Sequence, residues 1–380
     1  MFPKLPELLK ALIATPSVSS TTAVLDMSNR PVIDLLAGWL EDSGFTVKIL
    51  PVEGAENKYN LIATLGRGTG GLILSGHTDT VPFDEHRWSH NPFKLSEADN
   101  RYYGLGTADM KSFLGLAIEA ARSFDANAFQ HPLIILATAD EETTMSGAAA
   151  LSAQDLHQGR YAVIGEPTGL RPISQHKGIL MESIKLIGQS GHSSDPSYGN
   201  NALEGMHEVI SQLLEYRRSL QQKHQNPAFV VPTPTMNFGH IHGGDNPNRI
   251  CGECELQIDL RPLPGMDLAK LRQDFREIVT ATASARNLKT EFKQLFSGID
   301  AMQTAATSPI VTAAEAMTGF GQEAVAFGTE GPYLNKLGID TVILGPGNIA
   351  QAHQPDEYLA HDQIKPSLAI LKKLIKAFCL

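Results

Sequence analysis

The feature that most constrains this chain is a set of apolar stretches of strand length that do not alternate with polar residues. They are "FTVKIL" (45–50), "YNLIATL" (59–65), "GLILSG" (71–76), "PLIILATA" (132–139) and "YAVIGEP" (161–167). Between and around them, segments 4–14, 30–43, 110–123 and 145–154 carry apolar residues at helical spacing. A strand that is apolar at every position must be covered on both faces, so the pattern predicts an α/β fold with a mainly parallel, mixed sheet between helices. In such sheets loops that carry function collect beyond the carboxyl ends of the strands.

After "ISQHKG" (173–178) the pattern changes. Alternating strands "ILMESIKLIG", "TMNFGHIHG" and "CELQIDLRP", with helices near 200–221 and 267–282, run up to about residue 290 and suggest a β-α-β-β-α-β order. That order predicts an inserted α+β, ferredoxin-like domain over 179–289. Past 290 the first pattern returns, with "TVILGPG" (341–347) as a strand and 361–377 as a closing helix. The first domain is therefore expected to be discontinuous, made of 1–178 and 290–380.

With 380 residues, 42% of them hydrophobic, the chain can bury a core for each domain. Against 31 basic residues stand 41 acidic ones, and the formal net charge of -10 argues against nucleic acid and anionic membrane as partners. Small molecules and cations are the expected partners. No run reaches the roughly 18 residues of a membrane span, and the first 17 read as an amphipathic helix, not an export signal. Cys251, Cys254 and Cys379 are too few for a disulfide framework, which fits a reducing cytoplasm.

Two attractive motifs fail on context. "GRGTGG" (66–71) has the glycine spacing of a dinucleotide fingerprint, but it precedes a strand instead of joining a strand to a helix, so a hairpin-like turn is expected. "CGEC" (251–254) has half the ligands of a zinc knuckle and no second half; Cys254, Leu256, Ile258 and Leu260 should share one strand face. The chain also contains no GxSxG, HExxH or phosphate-loop lysine.

What remains is a group of polar residues just after predicted strands or turns: His77 and Asp79, Asp109, Asp140 with Glu141 and Glu142, Glu166, and His353. Each alone has a bland reading, as a helix cap, a first-turn charge or a structural histidine. Together they crowd carboxylates at one rim, where they repel unless a cation sits among them. A two-metal site needs about five protein ligands, and His77, Asp109, Glu142, Glu166 and His353 supply them. Two dications, three carboxylates and one bridging hydroxide sum to zero charge. Asp79, on the same side of an extended chain as His77, is placed to accept the other ring N–H and orient the imidazole.

"SGHTDTVP", "YGLGTADMKS", "ADEET", "IGEPT", "GHSSDP" and "QAHQPDEY" resemble the signature segments of the dinuclear zinc aminoacylase and carboxypeptidase family that includes succinyl-diaminopimelate desuccinylase. "HKG", "HIHGGD", "NRIC", "DLRPLPGM" and "LGPGNIAQAHQPDEY" resemble one branch of it, which removes an acetyl group from an amino acid bearing a terminal ammonium. The resemblance runs in order along nearly the whole chain.

It implies a zinc-peptidase-like catalytic domain and two zinc ions, for which cobalt can substitute. Asp109 would bridge the metals, with His77 and Glu166 on one and Glu142 and His353 on the other. A cis peptide would follow Asp109. Glu141 would be the general base of metal-assisted amide hydrolysis; a carboxylate beside a dinuclear centre can take a proton from water and pass it to the departing amine. The insert would be a lid and dimerisation domain, forming a homodimer in which His192 acts in trans on the oxyanion. Asn248, Arg261, Thr329 and Glu330 would face substrate, Glu330 meeting the ammonium. For Arg261 a plain ion pair is the competing reading. Other deacylases and dipeptidases of the family would share the same core ligands. A nucleotide-binding oxidoreductase rests only on "GRGTGG", and a non-catalytic scaffold would have lost ligands that are all present here.

Overall fold

The computed structural model describes residues 2–380. The chain divides into two compact units, one formed by residues up to Ser174 with Thr304–Glu323 and Thr329–Leu380, the other by Gln175–Gln303 with Ala324–Gly328.

Among the described residues the core strands of the first unit lie in a nine-stranded sheet. Its path runs Thr46–Pro51, Tyr59–Leu65, Leu133–Thr138, Gly71–His77, Gly159–Pro167, Asp340–Gly345, Ile173–His176 and Met302–Gln303, with Glu323–Val325 beside Ile173–His176. The middle four pair in parallel and the flanks antiparallel. Gly71–His77 and Leu133–Thr138 are buried at every position, as unalternated apolar strands require. Helix Arg30–Asp42 covers the sheet with Val32, Ile33, Leu36 and Leu40, one stripe at three- and four-residue spacing. Each such side chain contributes about 1.5–3 kcal/mol by leaving water. Helix Lys111–Ala121 is buried on almost every side, and helix His361–Cys379 closes the unit.

Two local expectations are corrected. "GRGTGG" does turn the chain, with Gly66, Gly68 and Gly70 all at positive φ, but the strands it joins do not form a hairpin. Both pair instead with Leu133–Thr138, which lies between them. The helix expected over 145–154 lasts only from Ser146 to Ala149. Beyond it the Ser152 hydroxyl and backbone N–H both donate to Asp155, a local alternative to helical hydrogen bonds.

The second unit has a four-stranded antiparallel sheet ordered Thr235–Gly243, Glu253–Arg261, Ile179–Ile187, Lys289–Ile299, with helices Ala202–Lys223 and Leu268–Ala285. This is the ferredoxin-like order. Cys254, Leu256, Ile258 and Leu260 are all buried on one face of their strand, and the three cysteines are free thiols. The carboxylate of Glu182, buried in this unit, is held by Arg272 and Arg276, each at 2.6 Å. The unit extends further than position 289, because Lys289–Ile299 is its fourth strand. That strand is mostly exposed, so its sequence lacks the burial pattern that marks the others.

Candidate metal centre

Five segments of the first unit converge at the carboxyl ends of its parallel strands. His77 is the last residue of a buried strand and is itself fully buried. Its Nδ1 lies 3.0 Å from the backbone carbonyl of Asp79, which accepts the ring N–H. That hydrogen bond turns Nε2 toward the cluster. The carboxylate of Asp79 is farther from the ring, at 3.6 Å, and instead accepts the backbone N–H groups of Glu141 and Glu142 at 3.2 and 3.1 Å. The orienting oxygen for His77 is therefore main-chain, and the Asp79 side chain shapes the acidic turn opposite.

Asp109 stands between the two histidines. Its Oδ1 is 3.0 Å from His77 Nε2 and its Oδ2 3.6 Å from His353 Nε2. The peptide bond from Asp109 to Met110 is cis. Glu166 Oε1 approaches His77 Nε2 to 4.0 Å, and Glu142 Oε2 approaches His353 Nε2 to 2.9 Å. Gly165 lets the chain reach this point, since a Cβ there would lie 2.0 Å from the Phe113 ring. Potential ligand atoms of His77, Glu141 and Glu166 lie within 4.8 Å of one another, as do those of His77, Asp109 and Glu142. Glu166 Oε1 is buried with no hydrogen-bond partner.

The electrostatics follow from this crowding. Burial and then the neighbouring Asp109 push the Glu166 carboxyl well above its ordinary value, and burial with Glu166 does the same to Glu141. Burial and Asp109 raise Glu142 to about 7. Burial alone would discharge His77, but its hydrogen bond to Asp109 and the charges of Asp79 and Glu166 hold its pKa well above the imidazole norm. His353, bonded to Glu142, is raised to about 9. Protons are thus retained where carboxylates and imidazoles meet, and a divalent cation would displace them. Two imidazoles with carboxylates, one oxygen of which is buried without a partner, form a donor set that suits zinc.

Thr329 and Glu330 are buried in this unit. Glu330, 2% exposed, accepts a hydrogen bond from the Thr138 hydroxyl at 2.8 Å. Its other oxygen is buried with no hydrogen-bond partner, and its charge acts on His77 and on the carboxyls of Glu141 and Glu166. His192, Asn248 and Arg261 belong to the second unit. There the backbone N–H of Ser193 donates to the Asn248 carbonyl, and His192 forms an isolated bridge with Arg249, so the two candidate loops run side by side. Arg261 lies 2.9 Å from Asp259, an ion pair.

Two buried charges around the cluster were assigned no role in the sequence analysis, although Glu357 lies in "QAHQPDEY" and Lys111 in "YGLGTADMKS". Glu357 accepts three backbone N–H groups from the loop that ends in Asp109. Lys111, 1% exposed, donates to the Thr15 carbonyl at 2.8 Å, and burial lowers its pKa to about 7 despite Asp79 and Glu357 nearby. Their places in those two segments, beside His353 and Asp109, are the signal that could have found them.

A mainly parallel sheet that gathers histidines and carboxylates at the carboxyl ends of its strands defines the zinc-peptidase-like class of α/β proteins. Residues 73–377 match the model of peptidase family M20/M25/M40, and the chain belongs to that family. It is 51% identical over 372 residues to the acetylornithine deacetylase of Edwardsiella ictaluri, covering 98% of this chain and 97% of the relative. With the acetylornithine deacetylase of Photorhabdus laumondii it shares 49% over 374 residues, covering 98% and 97%. Its fold is similar to that of an M20 family metallo-carboxypeptidase from Sulfolobus solfataricus, with a TM-score of 0.77, 17% identity and 99% of each chain covered. Among the described residues no helix is long and apolar enough to cross a membrane.

Proposed function

We propose that this enzyme hydrolyses the amide of N-acetylornithine to ornithine and acetate in the cytoplasm, supplying ornithine for arginine biosynthesis. The observation that carries the reading is the pair of histidine and carboxylate groups on either side of Asp109, in a chain about half identical to acetylornithine deacetylases.

His77 and Glu166 would hold one zinc ion, Glu142 and His353 a second, and Asp109 would reach both. When bound, the two ions supply Lewis-acid polarisation of the amide carbonyl and acidify a water molecule. Cobalt, with similar ligand preferences, would substitute. Glu141 takes a proton from the attacking water and returns it to the departing amine. Asp79, by accepting the N–H groups of Glu141 and Glu142, keeps that carboxylate aimed. His192, contributed by the second unit of a partner in a homodimer, stabilises the developing oxyanion, with Asn248 and Arg261 binding the substrate. The α-carboxylate of the substrate calls for a guanidinium of the Arg261 kind.

The test is acetate release from N-acetylornithine by chelator-stripped protein titrated with zinc from zero to two equivalents. Activity that rises with metal supports both the cofactor and the substrate. Uptake of two zinc ions without acetate release moves the substrate to another acylated amino acid, and no metal uptake overturns the reading.

A further inference from the structure

Lys58 is 4% exposed and uses its whole ammonium group. It donates to Asp26 Oδ1 at 2.8 Å, to Asp140 Oδ1 at 2.9 Å and to the Met27 carbonyl at 2.9 Å. Asp140 directly precedes Glu141. Its carboxylate also accepts the hydroxyls of Ser19 at 2.7 Å and Ser146 at 3.1 Å. Its backbone lies at φ 58, and its carbonyl accepts the N–H groups of Thr144 and Met145. A left-handed aspartate persists where its surroundings hold it there.

The turn that presents Glu141 and Glu142 is thus gripped from two sides. Asp79 takes the N–H groups of the two glutamates, and Lys58 with two hydroxyls fixes the residue before them. A carboxylate 7% exposed keeps one conformation only if its charge is matched, and Lys58 is the cation that matches it. We propose that Lys58 is a positioning residue for the hydrolytic reaction, acting through Asp140 to aim the Glu141 carboxylate; the inference rests on Glu141 being the base. Misaiming a base lowers the fraction of bound substrate that is correctly arranged, so the loss appears in kcat. Asp26, whose side chain is 29% exposed, anchors the 19–27 loop and serves as the control.

The experiment compares kcat, KM and zinc content of the full-length, zinc-loaded enzyme with N-acetylornithine. The variants are Lys58→Met, Lys58→Arg, Asp140→Asn, Asp26→Asn and the double Lys58→Met/Asp140→Asn, with Glu141→Ala alongside. The expected result is a fall in kcat of about 10- to 100-fold for Lys58→Met, with KM within about twofold and zinc content unchanged. Lys58→Arg regains most of that loss, Asp26→Asn keeps the parent rate, and the double variant is no slower than the worse single. A parental kcat in Lys58→Met, multiplicative losses in the double, or an equal loss in Asp26→Asn overturns the proposal. If Lys58→Met does not fold, the double variant, which leaves no lone buried carboxylate, carries the same comparison against Asp140→Asn. Activity retained in Glu141→Ala overturns the base assignment and this role with it; activity lost there while Lys58→Met runs at the parent rate overturns the Lys58 role alone.

Discussion

Glu357 accepts the backbone N–H of Asp109 at 3.0 Å, and the same carboxylate takes those of Gly106 and Ala108 at 3.0 and 2.7 Å. Three donors converging on one buried carboxylate fix the loop from which Asp109 reaches both histidines. Glu357→Ala should leave these donors unpaired and weaken metal retention by about 10- to 100-fold. Competition with a chelator measures this; an unchanged affinity would show that the loop holds its shape without Glu357.

Glu141→Ala should reduce kcat by about 10²- to 10⁴-fold while two zinc ions stay bound. Metal analysis is the informative half of the measurement, because Glu141 lies within ligand distance of His77 and Glu166. Loss of one zinc together with activity would make Glu141 a ligand and not the base.

For Glu330, substitution separates a buried structural acid from a substrate contact. Glu330→Gln keeps an acceptor for the Thr138 hydroxyl and should fold normally, while preference shifts from N-acetylornithine toward uncharged acetylated amino acids. Glu330→Ala removes the acceptor and should cost about 1–3 kcal/mol in urea unfolding. An unchanged preference in Glu330→Gln would make Glu330 a buried structural acid and not the ammonium contact.

Stability should fall with acid through His176. Burial holds this imidazole neutral and lowers its pKa to about 4 in the folded protein. Below the ordinary imidazole pKa of about 6.5 the unfolded chain therefore binds a proton that the folded chain does not, until pH falls to about 4. Roughly 3 kcal/mol is lost across that window. Unfolding free energies measured from pH 7 to pH 4 should show a shallower decline in His176→Gln, and equal slopes would contradict the assignment.

How far the chain could be read depended on which groups carry a periodic or local signal. The unalternated strands predicted the parallel sheet and therefore the rim where His77, Asp109, Glu142, Glu166 and His353 collect. Strand periodicity also placed Cys254 in a core instead of a metal knuckle. What escaped was set by tertiary contacts. Lys58 and Lys111 look like surface lysines, and only the fold reveals that each is buried against acceptors distant in sequence. Two-residue alternation correctly put Asp79 beside His77, yet it could not tell that the main-chain oxygen would reach the ring first. The β-α-β-β-α-β order called for a fourth strand in the second unit, but the bound at 289 stopped short of it because Lys289–Ile299 is mostly exposed.

The Asp340–Gly345 strand enters the sheet between Gly159–Pro167 and Ile173–His176, two strands that are near neighbours along the chain. During synthesis the gap between them stays open until the final segment emerges. That segment also delivers His353 and Glu357, so a copy truncated before residue 340 lacks one histidine and the carboxylate that steadies Asp109. The order of the strands therefore predicts that the candidate centre assembles only after residues 340–357 have been made.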